Sequence, residues 1–264
     1  GWQDRLAAKL AEIAQLKPDD LAILFDDMRG DVPGLAERQA AIVQLAAERS
    51  SATRILCCPS YYSDDPILDR AFGARPPDYL EDLGRLLDPA IEIMWTGEEV
   101  CAREFSVGHL ESVADRIGRR PFLWDNYPVN DGSRMSQYLH LRAFTGRPAA
   151  IGAHISAHGV NPALQATLSL MPALTLAQSY RDGEAYRYGA AFRGAAREVL
   201  GEDLAARVEG HLLTFQDRGL DRLSPERRAE LRDVYAAFEH PAATEIVAWL
   251  DGEFDVSDEL VQTQ

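Results

Sequence analysis

The stretch Leu21-Ala22-Ile23-Leu24-Phe25-Asp26-Asp27-Met28 decides how the rest of the chain is read. Five apolar residues run straight into two adjacent carboxylates, and Arg29-Gly30 then breaks the pattern. An unbroken apolar run of this length reads as a strand buried on both faces, as in parallel sheets. Such sheets carry their chemistry just beyond the carboxyl ends of the strands, where Asp26 and Asp27 fall. Two neighbouring carboxylates repel, so their pKa values separate, which is the raw material of acid–base catalysis. The plainer alternative makes one Asp a turn cap and leaves the other in solvent.

The same unit recurs on either side of this stretch. Residues 3–16 carry Leu6, Leu10, Ile13 and Leu16 at helical spacing. After the Gly30–Gly34 loop come a helix over 35–49 and a strand over Arg54–Cys58, which stops at the turn-rich Pro59–Pro66 segment. A helix over 78–87 follows, with Asp78 as its N-cap, then a strand over Ile91–Gly97. Ser106 opens a helix over Val107–Ile117, and further strands are expected over Pro121–Trp124 and Ala150–Ala157. Pro162–Tyr180 reads as an apolar helix kinked at Pro172. This alternation indicates an α/β fold with a helix-covered parallel sheet, either open and doubly wound or part of a barrel. No GxGxxG or GxxxxGK[ST] loop follows any strand, which weighs against the nucleotide-binding open sheets. Polar residues instead gather after each strand: Asp26-Asp27, Ser60 to Tyr62, Thr96-Gly97, Asp125-Asn126, Asn130-Asp131 and Asn161. Repetition at one end of a sheet favours a pocket built from strand-end loops.

The bulk properties set outer limits. A chain of 264 residues with 46% hydrophobic content can bury a sizeable core. Its formal net charge of −15 argues against nucleic acid or an anionic membrane as partner. No apolar run approaches the ~18–20 residues of a membrane span. The chain lacks an initiator Met and a signal-peptide pattern, so it reads as beginning within a longer protein or after a cleaved tag. Cys57, Cys58 and Cys101 suit buried thiols better than a disulfide framework, as in a reducing, cytoplasmic-type compartment. His154 and His158, read as one strand, stand about 13 Å apart at strand rise, too far to share a metal. Beyond about residue 183 only helices are expected, over 184–200, 202–218, 225–238 and 242–250. Gly219 serves as a stop, Ser224-Pro225 as a helix start and Trp249 as a core anchor. Residues 253–264 read as an acidic, frayed end.

Taken together, these motifs resemble the catalytic domain of glycoside hydrolase family 84, which holds the O-GlcNAcases and related β-N-acetylglucosaminidases. Leu24-Phe25-Asp26-Asp27 is similar to its catalytic aspartate pair, and Cys58-Pro59-Ser60-Tyr61-Tyr62 to its Cys-Pro loop. Met94-Trp95-Thr96-Gly97 with Val100 is similar to its Trp-Thr-Gly segment. Trp124-Asp125-Asn126, Asn130-Asp131 and Asn161-Pro162 complete the set in matching order. The resemblance implies a (β/α)8 TIM barrel with strands 4–8 in residues 1–182, then a helical bundle or spacer region over 183–264. It implies retaining exo-hydrolysis of terminal β-linked N-acetylglucosamine by substrate-assisted catalysis, in which the sugar's 2-acetamido oxygen attacks its own anomeric carbon to form an oxazoline. Asp26 would then hold the acetamido N–H and stabilise the oxazoline, and Asp27 would be general acid, then base, with a raised pKa. Tyr62 would donate a hydrogen bond near the anomeric centre. Cys58, Val100 and Trp124 would line the acetamide pocket. Asn126 would bind the acetamido oxygen, Asp131 the O4 and O6 hydroxyls, and Asn161 would assist. Adjacent strand residues face opposite ways, so both aspartates must project from the strand end.

Plainer readings exist: Trp124 as core, Tyr61 in place of Tyr62, Cys58 as wall with no nucleophilic role, and Asn161-Pro162 as an ordinary helix start. The chain also departs from the family. A Gly-rich first strand end and a sugar-binding lysine have no counterpart, since neither Lys9 nor Lys17 follows a strand. Five strand–helix units leave the N-terminal part of the barrel to be supplied elsewhere, because an open barrel exposes edge strands. The expected partners are that N-terminal part, an N-acetylglucosamine-bearing glycoprotein or glycan, and a second copy through the helical region. No cofactor and no metal is expected. The competing function is a catalytically incomplete N-acetylglucosamine-binding relic or scaffold; a metal-dependent hydrolase built on Asp26, Asp27, His154 and His158 fits the spacing poorly.

Overall fold

The computed structural model describes residues 1–256, so the expected frayed end lies mostly outside the described residues. Five strands lie among them: β1 (Asp20–Leu24), β2 (Arg54–Cys58), β3 (Glu92–Trp95), β4 (Phe122–Asp125) and β5 (Ala157–Val160). They form one sheet in the order β1-β2-β3-β4-β5, with parallel ladders joining β1 to β2, β2 to β3 and β3 to β4. Strictly sequential order is how a (β/α)8 barrel adds its strands, whereas a doubly wound sheet reverses direction at a switch point. Helix α1 (Trp2–Ala14) precedes β1, and α2 (Leu35–Arg49), α3 (Pro66–Phe72), α4 (Tyr79–Leu86) and α5 (Val107–Ile117) provide the crossovers from β1 to β4.

The chain divides into two compact units. The first comprises residues 1–124 and 151–159. Its core follows the strand pattern: β2 and β3 each start half-buried and are buried thereafter, with Ile93 and Trp95 fully enclosed. Strand β1 departs from expectation. Its residues alternate between exposed and half-buried, and Leu24 is 47% exposed. The reason is its place in the sheet, since among the described residues β1 pairs with β2 alone and stands at an edge. Helix α2 buries Leu35, Ala36, Gln39, Ala40, Val43 and Ala46 along one stripe. At α5 the Ser106 hydroxyl accepts the His109 backbone N–H at 3.2 Å, as its N-cap spacing predicts.

Three local expectations need correction. Asp78 sits at the start of α4 in the left-handed region, φ 55°, and makes no side-chain cap bond. Helix α3 falls where only a turn is expected: Asp65 accepts the Ile67 N–H at 2.9 Å and Pro66 occupies the first helical position. The apolar run near residue 150 is not a strand. Residues Ala149–Ala153 form a 3-10 turn, and β5 begins only at Ala157.

Among the described residues the second unit holds 125–150 and 160–256. It contains α6 (Ala166–Asp182), α7 (Tyr188–Leu200), α8 (Glu202–Leu213), α9 (Pro225–Ala236) and α10 (Pro241–Leu250), with Pro172 inside α6. Phe215, Tyr235 and Trp249 form its aromatic centre, Phe215 lying 5.5 Å from Tyr235 and 5.7 Å from Trp249 between ring centroids. Trp249 meets the need of its one polar atom by donating Nε1–H to the Ser136 carbonyl at 2.9 Å. No helix among the described residues is long and apolar enough to cross a membrane.

Candidate active site

At the end of β1 the ladder continues one residue further, with the Phe25 N–H donating to the Cys58 carbonyl at 2.9 Å. The chain then turns. Asp27 adopts φ 56°, in the left-handed region that Asp tolerates better than most residues. Asp26 and Asp27 therefore lie in a turn beyond the strand, where the alternation that would send neighbours to opposite faces no longer applies. Asp26 is half-buried, and that burial raises its pKa above the ordinary 3.8 against the opposing pull of its own backbone N–H. Asp27 is exposed. The half-buried member of the pair is thus Asp26.

Cys58 is fully buried, and burial above all holds its thiol well above the usual range, with the charges of Asp26, Cys57 and Asp27 adding to the effect. The neighbouring Cys57 is pushed up to about 12 by burial. A thiol that stays protonated is an apolar wall and not a nucleophile. The electrostatic coupling also places both carboxylates of the β1 turn near Cys58.

A buried neutral network supports this turn from beneath. The Ser60 hydroxyl donates to the Phe25 carbonyl at 2.8 Å, and Gln39 Nε2–H donates to the Ser60 hydroxyl at 2.9 Å. The Ser60 N–H donates to the Tyr79 hydroxyl at 3.1 Å, and that hydroxyl donates to Gln39 Oε1. Tyr61 is committed to the scaffold: its hydroxyl donates to the Gly73 carbonyl at 2.6 Å, and its ring fills the space a side chain at Gly30 would need. Tyr62 is buried, and its carbonyl accepts the Thr96 N–H at 2.8 Å and the Thr96 hydroxyl at 3.3 Å. The buried Val100 directs its N–H to Asp65 Oδ2 at 3.3 Å. Trp124, at the carboxyl end of β4, is only half-buried, which sets it apart from the enclosed core residues.

In the second unit, Asn126, Asp131 and Asn161 lie on the loops that follow β4 and β5. Asn161 donates its backbone N–H to the Asp125 carbonyl at 2.9 Å and its Nδ2–H to Asn126 Oδ1 at 3.0 Å, which joins the two asparagines. Asp131 is exposed at the far end of the same loop. Between them the loop is pinned. The Tyr127 hydroxyl donates to the Arg142 carbonyl at 2.9 Å, and His140 Nδ1 lies 3.1 Å and 3.0 Å from the Pro128 and Val129 carbonyls, as a donor shared between two acceptors must. Asn130, fully buried, donates to the Tyr138 carbonyl at 2.9 Å and Gln165 Oε1 at 2.8 Å, and accepts the Leu164 N–H at 2.9 Å. Asp125 is fully buried and forked by Arg147, with Nη2 to Oδ1 at 2.6 Å and Nε to Oδ2 at 2.8 Å. Sequence reasoning singled out neither Gln39, Ser60, Thr96 nor Arg147 as supports.

Among the described residues no group of three or more His, Cys, Asp or Glu could hold a metal ion. The strand argument about the two histidines does not hold as framed. His154 precedes β5 and lies 3.4 Å from Glu111, while His158 is in the strand with its ring 5.9 Å from that of Phe105.

A sequentially ordered sheet with polar side chains gathered past its strand ends is the architecture of part of a (β/α) barrel. Residues 3–216 match the family model described as β-N-acetylglucosaminidase, and the chain belongs to this family, glycoside hydrolase family 84. Protein O-GlcNAcase of Rattus norvegicus and that of Mus musculus are each 27% identical over 185 residues, 67% of this chain and 20% of the relative. The chain thus spans about a fifth of the length of these curated relatives. A mutant O-GlcNAc hydrolase of Thermobaculum terrenum superposes with a TM-score of 0.72 at 25% identity, covering 96% of this chain and 62% of that one.

Proposed function

We propose that this chain forms the carboxy-terminal part of the catalytic barrel, strands 4–8, of a retaining exo-β-N-acetylglucosaminidase of O-GlcNAcase type. The natural substrates are glycoproteins or glycoconjugates with terminal β-linked N-acetylglucosamine. The exposed edge of β1 is where a preceding barrel strand pairs, and a barrel so closed has no free edge. The observation that carries the reading is the turn at Asp26-Asp27, which frees both carboxylates from strand alternation in a chain of this family.

The reaction then runs on the sugar's own acetamide. Asp26, raised by its burial, accepts the acetamido N–H and stabilises charge as the carbonyl oxygen attacks the anomeric carbon. Asp27 protonates the departing glycosidic oxygen and later takes a proton from the water that opens the oxazoline. The carboxylate left by the first step is the base that the second step needs, and the proton taken from water returns Asp27 to its starting form. Tyr62 donates near the anomeric centre; the commitment of the Tyr61 hydroxyl to Gly73 supports this choice of tyrosine. Cys58, Val100 and Trp124 wall the acetamide methyl, and the protonated thiol suits that apolar role. Asn126 donates to the acetamido oxygen, steadied by Asn161, and Asp131 grips O4 and O6.

The test is a series of fluorogenic glycosides whose N-acetyl group carries none, one, two or three fluorines, assayed on the full-length protein. Each fluorine weakens the carbonyl oxygen as a nucleophile, so kcat/KM should fall steadily, by more than about 10-fold across the series. A flat series contradicts participation of the acetamide. Binding of an oxazoline-mimicking thiazoline with no turnover at all would instead favour the relic.

A further inference from the structure

The loop that carries Asn126 follows a residue with no role of its own in the chemistry above. Asp125 is wholly buried, and a lone buried carboxylate is costly, so its presence needs a partner and a reason. The partner is Arg147, itself 7% exposed, which grips both carboxylate oxygens in the parallel fork that only a guanidinium offers. Arg147 is anchored in turn. Its Nη1–H donates to the Thr145 carbonyl at 2.9 Å, and its guanidinium lies 5.4 Å from the centre of the Phe144 ring. The Phe144 N–H donates to the Thr175 hydroxyl at 3.0 Å, which fastens this segment to α6.

From Asp125 the constraint passes to the two asparagines by one covalent route and by one route of two hydrogen bonds in series. Asn126 is the next residue in the chain. The Asp125 carbonyl receives the Asn161 N–H, and Asn161 Nδ2 donates to Asn126 Oδ1. With Oδ1 committed as acceptor, the Asn126 amide is oriented with its NH2 as the donor end. An amide so oriented suits a carbonyl oxygen as its ligand.

We propose that Arg147 is a positioning residue for the substrate's 2-acetamido oxygen, acting through Asp125 on the Asn126–Asn161 pair. This rests on the proposed function, in which that oxygen is both the ligand of Asn126 and the nucleophile. Misplacing a reacting group by about 1 Å costs about 100-fold in rate, whereas hydroxyl contacts made elsewhere on the sugar keep substrate bound. Arg147→Lys preserves the charge and loses the fork, and Asp125→Glu preserves both charges and shifts the pair by one methylene.

The experiment is a double-mutant cycle on the full-length protein with a fluorogenic N-acetylglucosaminide. Arg147→Lys and Asp125→Glu are each measured alone and with Asn126→Ala, and the folded fraction of each variant is read by circular dichroism. Each of the two should lower kcat about 10- to 100-fold with KM changed less than about threefold. In the Asn126→Ala background each should cost less than about twofold more, because the residue through which Arg147 acts is already gone. Equal losses in both backgrounds, or unchanged kcat in folded variants, overturn the positioning role while leaving the function intact. No turnover by the unsubstituted protein, or none lost in Asn126→Ala, overturns the functional reading and the positioning role with it.

Discussion

The strand ends that follow β1 and β4 are held in opposite ways. Past β1, the Asp26-Asp27 turn rests on neutral groups: the Ser60 hydroxyl beneath the Phe25 carbonyl, then Gln39 and Tyr79 behind it. Past β4, the Asn126 loop starts at a buried ion pair and is bonded to the scaffold at nearly every residue up to Asn130. Under the proposed function the difference follows from what each end would do. A fixed charge beside a carboxylate that moves protons, the role proposed for Asp27, would alter its protonation balance, so neutral supports suit this end. Amides that orient a neutral acetamide never change charge, and an ion pair can stiffen their loop without penalty to the chemistry.

That contrast can be broken experimentally, beginning where the effect is greatest. Asp26→Asn should cut kcat/KM about 100- to 1,000-fold, the scale for losing one preorganised stabilising group. It should also raise the unfolding midpoint at neutral pH. The sign follows from the raised pKa: folding favours the protonated carboxyl, so stability is lost as pH rises through the folded value, and Asn cannot ionise. A midpoint that falls would place Asp26 among the structural residues. Asp125→Asn should do the reverse, with a loss of roughly 3–5 kcal/mol in denaturant unfolding because Arg147 is left buried and uncompensated. Ser60→Ala should cost about 1–3 kcal/mol, by leaving the Phe25 carbonyl and Gln39 short of a partner. The smallest effect is expected at His140. Burial holds it below 6.5, the carbonyls of Pro128 and Val129 notwithstanding, so it supports the fold above 6.5 and loses that support as pH falls through its lower folded value. Amide protection in residues 127–130, taken relative to the intrinsic exchange rate at each pH, should fall over that window and fall less in His140→Asn.

Much of the framework was legible from the sequence where the signal was local. Helix α2, strand β2 and helix α5 fall at the residues read from apolar periodicity and the Ser106 cap. Legibility failed where one pattern has two physical meanings. Asp65-Pro66 is as good a helix start as a turn, and α3 was missed for that reason. The apolar residues near 150 suit a 3-10 turn as well as a strand, so β5 begins later than expected. The run at 21–25 carries hydrophobicity but no information about neighbours, and β1 proved to be an edge. The residues proposed for the site could be picked out from the sequence because strand-end loops gather polar side chains. Their supports could not: Arg147 lies 22 positions from Asp125 in a Gly-Arg-Pro turn, and Gln39 lies 21 from Ser60 on a helix face. Long-range polar pairing leaves no periodicity to read.

The division of roles between the two aspartates is tested most directly by kcat/KM for Asp27→Asn on two N-acetylglucosaminides, one with a poor and one with a strongly activated leaving group. This ratio reports the glycosylation step, where a general acid matters in proportion to the basicity of the departing oxygen. If Asp27 is that acid, the poor leaving group loses about 100- to 10,000-fold and the activated one less than about 10-fold. Equal losses on both substrates, or turnover that survives the substitution on both, would contradict it.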